Sequence, residues 1–514
     1  MSQALVSVNA GVLLPVLAPA VGAAVVLVTD VAAQHLRRAH YVIALASLVV
    51  GAVATFAGLG VVVGDARQTL CLPGGGQCMY AAGSVASALQ LAALLAAAVT
   101  LLLSWPEDKD QPRGGTAVIV SLVLAATAGA TAVAGARDLG SWLVALELAT
   151  LPTVALVALR GARSAISGAV ALLTTALVSF GLLALAAALW FTATESGFLS
   201  PSAALTVIDD PARRPILVLA VVLFVAGIGF KLSLVPFHAW TPEAYDGAPL
   251  PIAAFLAAAS KIAALAALLV VIRAIAPLGA SVLISIAVVA ALSMTLGNVM
   301  ALRQDGVVRL LAWSTVAQAG WVVMPLAVVS SAAVHASGAY LLAYALATLL
   351  AFAVVAALVQ TRGAARARDL TAYRGLMRDH PVLASALALA LLSLAGLPPG
   401  ILGLVAKVTA LRPVVANELW LLAVVAAVNA VLGVAVYLRW LRAILASPDA
   451  GPDGARENAL VDPGLASPAA GPDVPVAARA VRAHPATLVA VGFTAVALVL
   501  TSLSPQLILG LLGR

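Results

Sequence analysis

Apolar residues fall into blocks of about twenty, set apart by short joints rich in Arg, Asp, Gly and Pro. A helix crossing the roughly 30 Å hydrocarbon core of a bilayer needs about 20 such residues. On that measure the chain divides into about fourteen spans: 8–29, 40–63, 84–104, 115–134, 138–159, 164–192, 214–249, 251–273, 278–301, 307–329, 334–359, 381–411, 417–445 and 486–509. Two of them, 214–249 and 381–411, are interrupted by prolines: Pro236 and Pro242 in the first, Pro398 and Pro399 in the second. A helix broken at membrane depth persists only where protein or a wet cavity satisfies the freed backbone groups, as in transporters. The pattern predicts an all-α polytopic membrane protein.

Composition agrees and removes other classes. The 514 residues are 63% hydrophobic and 10% charged, with a mean hydropathy of +1.11, against about half apolar and a quarter charged in soluble domains. The formal charge of +7 resides in short loops without interleaved aromatics, so it points to membrane topology and the lipid bilayer rather than nucleic acid. Of 28 basic residues, eighteen fall in one set of loops, densest between Arg362 and Arg378, and seven in the other. Because basic loops stay on the cytoplasmic side, the N-terminus is expected outside, with Cys71 and Cys78 on the same side. A local disulfide between them is then plausible. The first 36 residues hold no Lys or Arg, so the first block reads as a true span, not a cleaved signal. From Ser447 to Pro485 the density of Pro, Gly and Asp predicts a flexible inward loop.

Lysine usage carries the chemistry. Only four lysines occur, and three of them, Lys231, Lys261 and Lys407, sit inside apolar blocks. Such a residue costs roughly 3 kcal/mol to insert at the bilayer centre, and one that persists there is a functional candidate. Arginine keeps its proton, whereas a desolvated lysine can titrate. Three titratable amines at midplane are what proton hopping needs; the competing reading is snorkelling to an interface, which suits Lys407 best. Glu147, in the block 138–159, needs a partner in hydrocarbon, and Lys231 is the economical one. A static structural pair, or a carboxylate facing water, is the alternative. His238, at the first break, can bridge Lys231 and Lys261 through water or cap the broken backbone. Glu243, Tyr245 and Asp246 shape the turn, Trp240 is structural, and His335 is interfacial. No phosphate loop, Cys-x-x-Cys, His-Glu-x-x-His or dinucleotide fingerprint appears, so no cofactor is expected in this chain.

The block F-K-L-S-L-V-P-F-H-A-W-T-P-E-A-Y-D-G-A-P-L-P around Lys231 resembles the antiporter-like membrane subunits of respiratory complex I. So do S-K-I-A, G-N-V-M-A-L-R-Q-D, V-R-L-L-A-W-S-T-V-A-Q-A-G-W, Y-R-G-L and S-L-A-G-L-P-P-G-I-L-G with Lys407. The resemblance spans roughly 115–445. It implies fourteen helices in two inverted five-helix repeats, 115–273 and 278–445, each with a proline-broken helix. The N-terminal helices 1–114, the inward loop 446–485 and a last helix in 486–514 complete the chain. It also implies proton-channel roles for Glu147, Lys231, Lys261 and Lys407, with His238 beside them. It further implies no bound redox centre, FMN and iron-sulfur clusters in partner subunits, other complex I membrane subunits as partners, and a bacterial plasma membrane location. Neither the long lateral helix of one branch nor the glutamate that another carries at Lys407 is present, which leaves the third branch. One departure stands out: the family's Lys-Tyr pair after the Glu147 span is replaced by R-S-A-I-S-G-A-V, with Arg160 or Arg163 as stand-ins at the inner entrance.

Three functions fit these residues: a proton-translocating subunit driven by NADH oxidation and quinone reduction elsewhere, an Mrp-type cation/proton antiporter subunit, and a structural scaffold whose charges lock helices together.

Overall fold

Long runs of Leu, Ala and Val cannot leave backbone N–H and C=O groups bare in hydrocarbon, so each closes into a helix. The structure, a computed structural model, describes residues 7–512 apart from 34–35, 63, 74–76, 106–114, 279–282, 364–366 and 448–482. The loop expected from Ser447 to Pro485, and Lys109, therefore lie almost wholly outside the described residues. Among those described, thirteen helices are long and apolar enough to cross a membrane, and Pro381–Ala395 is a shorter apolar one. These account for the fourteen expected spans. The most enclosed are Leu250–Ile275, Val307–Ala327 and Ser331–Arg362, which form the centre of the bundle.

Among the described residues the one sheet is a small antiparallel hairpin, Arg67–Cys71 with Cys78–Ala82, in register Thr69 to Tyr80. It joins the second and third spans and is closed by a disulfide between Cys71 and Cys78. Arg137, Arg273 and His335 lie at the same end of the bundle, here called the hairpin end.

The two proline breaks are built alike. The Arg214–Leu232 helix ends at Ser233 and the Pro381–Ala395 helix at Gly396, both left-handed with φ of 65° and 78°. In each, the next N–H, from Leu234 or Leu397, reaches back to the carbonyl of Gly229 or Leu392 at 2.9 Å, the wrap that closes many helix ends. A cis peptide bond follows three residues after the left-handed one, at Pro236 and at Pro399. The chain then resumes as Trp240–Gly247 and as Ile401–Ala416.

Two further interruptions were not anticipated. The span 139–158 is really Leu139–Leu148 and Leu151–Ala158, and the one after the first break is cut at Ala258 into Leu250–Ala257 and Ala259–Ile275. Pro152 stands at the first joint, where it cannot donate to the Leu148 carbonyl; no proline stands at Ala258.

Small residues let helices touch, as is usual where the hydrophobic effect does not drive helices together. A Cβ on Gly129 would lie 2.3 Å from the Ala149 nitrogen, one on Gly297 2.4 Å from that of Ala317, and one on Gly320 2.6 Å from the Ala290 oxygen. The second break is tightest, since a Cβ on Gly403 would sit 1.6 Å from the Ser393 oxygen.

At the end opposite the hairpin, the Trp240–Gly247 helix is clamped by charge. Arg309 meets Glu243 at 3.3 Å and Asp246 at 3.8 Å, and Arg368 meets Asp246 at 3.3 Å. Arg160 donates to the Asp246 carbonyl at 3.3 Å. Burial, and next the charge of Arg160, hold the Arg368 guanidinium below the usual arginine range, while Asp246 acts against both. Glu243 and Asp246 thus do shape the turn, by tying it to the first turn of Val307–Val323 and to Arg368.

Gly403→Ala overpacks the second break, a change that typically costs about 1–3 kcal/mol. It should lower the amount of assembled protein in membranes, measured by immunoblot against Gly181→Ala, whose added Cβ meets nothing within 4 Å. Equal levels of the two variants would contradict this packing.

Candidate functional site

The unforeseen joint in the span 139–158 builds the first part of the site. Helical bonding lapses at Ala149 and Thr150, directly after Glu147, and Thr150 returns its hydroxyl to the Leu146 carbonyl at 2.8 Å. Lys231, in the last turn of Arg214–Leu232, enters this gap. Its Nζ lies 2.9 Å from Glu147 Oε1 and donates to Thr150 Oγ1 at 3.0 Å. The side chains are 5% and 14% exposed, so the pair is largely withdrawn from solvent, and attraction between opposite charges is strong there. The partner chosen for Glu147 from sequence is the one the structure supplies.

Beside the pair lies a cavity of about 20 Å³, room for one water. Thr150, Thr153, Thr175, Ser179 and Ser260 give it hydroxyls. Thr175 and Ser179 come from the Arg163–Thr194 helix, the helix whose first turn lacks the Lys-Tyr pair. Arg160 is engaged with the clamp at the Asp246 carbonyl.

Lys261 and Lys407 are held in a common way. Each is buried, at 1% and 6% exposure, and each donates to a carbonyl at the end of the helix preceding a break. Lys261 Nζ reaches the Lys231 oxygen at 2.9 Å and Ser233 Oγ at 2.5 Å; Lys407 Nζ reaches the Ala395 oxygen at 2.5 Å. The last carbonyls of a helix have no intrahelical partner and carry the negative end of its dipole. Each amine also faces an indole: Trp240 at 4.6 Å from Lys261 and Trp321 at 5.7 Å from Lys407, distances at which ring and cation attract. Both amines are enclosed by protein, which argues against snorkelling. Trp240, read from sequence as structural, lies against the site.

His238 stands apart from this row. Its ring contacts Trp313 at 5.3 Å, and its buried Nδ1 has no hydrogen-bond partner among the described residues. It makes no hydrogen bond to either lysine.

What composition and spacing did not disclose are two groups of buried, hydrogen-bonded polar side chains on Val307–Val323 and its neighbours. Tyr344 donates to Thr315 at 2.9 Å, Tyr340 to Gln318 at 2.5 Å, and Gln318 to Tyr437 at 2.8 Å; Tyr437 meets Ser314 at 2.6 Å. Trp321 stacks on Tyr340 with centroids 5.6 Å apart, which brings the Gln318 group to Lys407. The available signal was Thr315, Gln318 and Trp321 at helical spacing within an apolar block. A buried amide pair, Asn298 to Asn429 at 3.0 Å, ties Ile284–Leu302 to Trp420–Leu445.

Residues 136–433 match the family model described as NADH:quinone oxidoreductase/Mrp antiporter, TM. The NADH-quinone oxidoreductase subunit N of Salinispora tropica is 40% identical over 417 residues, 78% of this chain and 78% of its own length. The chain belongs to the NADH-quinone oxidoreductase subunit N family. A subunit N 2 of Streptomyces griseus is 37% identical over 69% of this chain and 68% of its own. A chain of respiratory complex I from Thermus thermophilus with bound aureothin superposes with a TM-score of 0.75 at 29% identity, over 97% of this chain and 99% of that one. A chain of the Mrp complex from Dietzia sp. shares the fold, with a TM-score of 0.77 at 20% identity over 98% and 96%. Subunit N is the branch expected from the sequence, where Lys407 stands in place of a glutamate. Glu147, Lys231, Lys261, His238 and Lys407 all fall inside the matched region.

Gln318→Leu would strip Tyr340 and Tyr437 of their shared partner. An unsatisfied buried polar group costs about 1–3 kcal/mol, so the purified complex should melt at lower temperature than wild type. Tyr437→Phe, which removes one hydroxyl and leaves the Tyr340 bond intact, should cost less. If Gln318→Leu melts no earlier than Tyr437→Phe, the Gln318 group is not a connected network.

Proposed function

We propose that this chain moves protons along Glu147, Lys231, Lys261 and Lys407, as the membrane subunit N of a proton-translocating NADH-quinone oxidoreductase. The observation that carries the reading is the ion-paired Lys231 whose own carbonyl holds Lys261. A proton added to or taken from Glu147 changes the field at Lys231, and interacting sites titrate as a set rather than singly. The hydroxyl-lined cavity at Thr153 and Thr175 admits water to Lys231 and takes over the part of the absent Lys-Tyr pair. The polar groups at Thr315, Gln318 and Tyr340 carry the disturbance on to Lys407. His238, against Trp313, serves as a water-linked side station to the lysines.

The driving chemistry lies elsewhere in the assembly. FMN and iron-sulfur clusters belong to partner subunits, where NADH is oxidised and quinone reduced. Among the described residues of this chain, no group of three or more His, Cys, Asp or Glu side chains could hold a metal. The two similarly built breaks support a reading as two inverted repeats, 115–273 and 278–445, flanked by 1–114 and 486–514. The chain sits in the bacterial plasma membrane with its N-terminus and the disulfide hairpin outside, a placement supported by the loop charges and by the oxidising chemistry a disulfide requires.

Lys231→Met and Glu147→Gln should assemble into the complex and keep much of the NADH oxidation measured with a soluble acceptor, but lose at least several-fold in proton pumping per NADH oxidised in inverted vesicles. A scaffold role predicts the opposite, poor assembly with unchanged pumping by whatever assembles. Cys71 and Cys78 test the orientation. After mild reduction, a membrane-impermeant maleimide should label them in spheroplasts and leave them unlabelled in inverted vesicles; the reverse pattern would overturn it.

A further inference from the structure

A second charged site lies at the hairpin end, away from the lysine row. A cavity of about 480 Å³ opens among the third, fourth, eighth and eleventh spans. Arg137, Arg273 and His335 bring the basic groups to its lining. Arg137 Nη2 donates to the Ala81 carbonyl at 2.8 Å and Nη1 to the Ala136 carbonyl at 3.4 Å, yet its buried Nε has no hydrogen-bond partner among the described residues. His335 bonds through Nδ1 to the Ser331 carbonyl at 2.6 Å, and its buried Nε2 is likewise unpartnered. Arg273 is exposed and meets no carboxylate within 4 Å among the described residues. Asp65 also lines the cavity, exposed, and pairs with neither arginine.

The two guanidiniums thus line one cavity with no carboxylate paired to either among the described residues. Burial first, and then the charge of Arg273, lower Arg137 to about 10. Arg137 lies between spans rather than within one and stays a cation at neutral pH. The cavity also takes in the first turn of Ser331–Arg362, where Ser330 caps the helix by accepting from the Ala333 N–H at 3.0 Å, and such an N-terminus favours negative charge. Unpartnered donors, paired positive charge and a helix N-terminus converge on one anion. Below them the wall is apolar, with Leu89, Leu269, Val270 and Ile272 among its residues. A free inorganic anion has no use for such a wall. A molecule with a phosphate head and acyl chains fits both parts.

We propose that this cavity is a binding site for an anionic phospholipid, its phosphodiester held by Arg137, Arg273 and His335 Nε2 and its chains laid along the apolar wall. The site is independent of the proton path.

The test uses the intact complex, purified in mild detergent and stripped of loosely held lipid. Phosphatidylglycerol and phosphatidylcholine are added back in separate samples, and retained lipid is counted by native mass spectrometry of this subunit. Wild type should retain phosphatidylglycerol at least five-fold over phosphatidylcholine. Arg273→Gln should lose that preference, and Arg137→Gln with Arg273→Gln should abolish it. Arg303→Gln, at the opposite end, should leave it unchanged. Arg137 also supports the Ala81 backbone, so if the double variant fails to assemble on a native gel, Arg273→Gln alone decides the matter, because Arg273 makes no protein hydrogen bond there. Retention that is the same in Arg273→Gln and wild type would overturn the proposal. So would displacement of the lipid by millimolar inorganic phosphate, which would make this a free-anion site. Cross-linking of position 273 to an acidic segment of a neighbouring subunit in the untreated complex would also overturn it, since a protein then fills the cavity.

Discussion

An ammonium ion taken into hydrocarbon must find oxygen, and this requirement organises the centre of the molecule. Intact helices have none to spare, because every interior carbonyl is already bonded to an N–H four residues on. Only where a helix stops do carbonyls come free. Lys261 and Lys407 each take such a carbonyl at a proline break, and Lys231 takes a carboxylate and a threonine at a joint in a third helix. The breaks are thus binding sites for the protein's own amines. They also explain the tight glycines, since a broken helix can seat a lysine only if its two halves and their neighbours approach closely enough to exclude lipid.

Between the amines the interior is furnished with groups that are polar and neutral. Tyr340, Tyr344, Tyr437, Gln318 and Thr315 can accept and donate hydrogen bonds without adding net charge to the membrane interior. Indole rings stand beside the two lysines that lack a carboxylate. The arrangement keeps formal charge sparse while leaving buried polar groups within the bundle, where a low local dielectric strengthens the interactions among them.

Much of this was legible from residue order, and the reasons are physical. Hydrophobic blocks give spans because bilayer thickness fixes their length, and Pro236 and Pro399 announce breaks because proline cannot continue a helix. Buried lysines are conspicuous because they are costly. The pairing of Glu147 with Lys231 followed from the same cost. The joint at Ala149 had a signal that went unread, Pro152, which cannot donate to the Leu148 carbonyl; the joint at Ala258 carries no residue that forbids a helix. Nor could the tyrosine groups be read, because Tyr340 and Tyr437 lie far apart in the chain and a tyrosine in an apolar block is equally at home facing lipid. His238 was placed by its neighbours in sequence; its ring contact, Trp313, comes from another helix.

Lys231 occupies two places in the row at once. Its side chain answers to Glu147, while its backbone oxygen is a ligand of Lys261. Any swing of the first amine that twists its own peptide plane tilts the cradle of the second, so geometry as well as field passes from one to the next over the length of a single residue. Side-chain substitution at 231 removes the charge and leaves that oxygen in place, and the two modes of transmission are in this way separable by nature of the backbone itself.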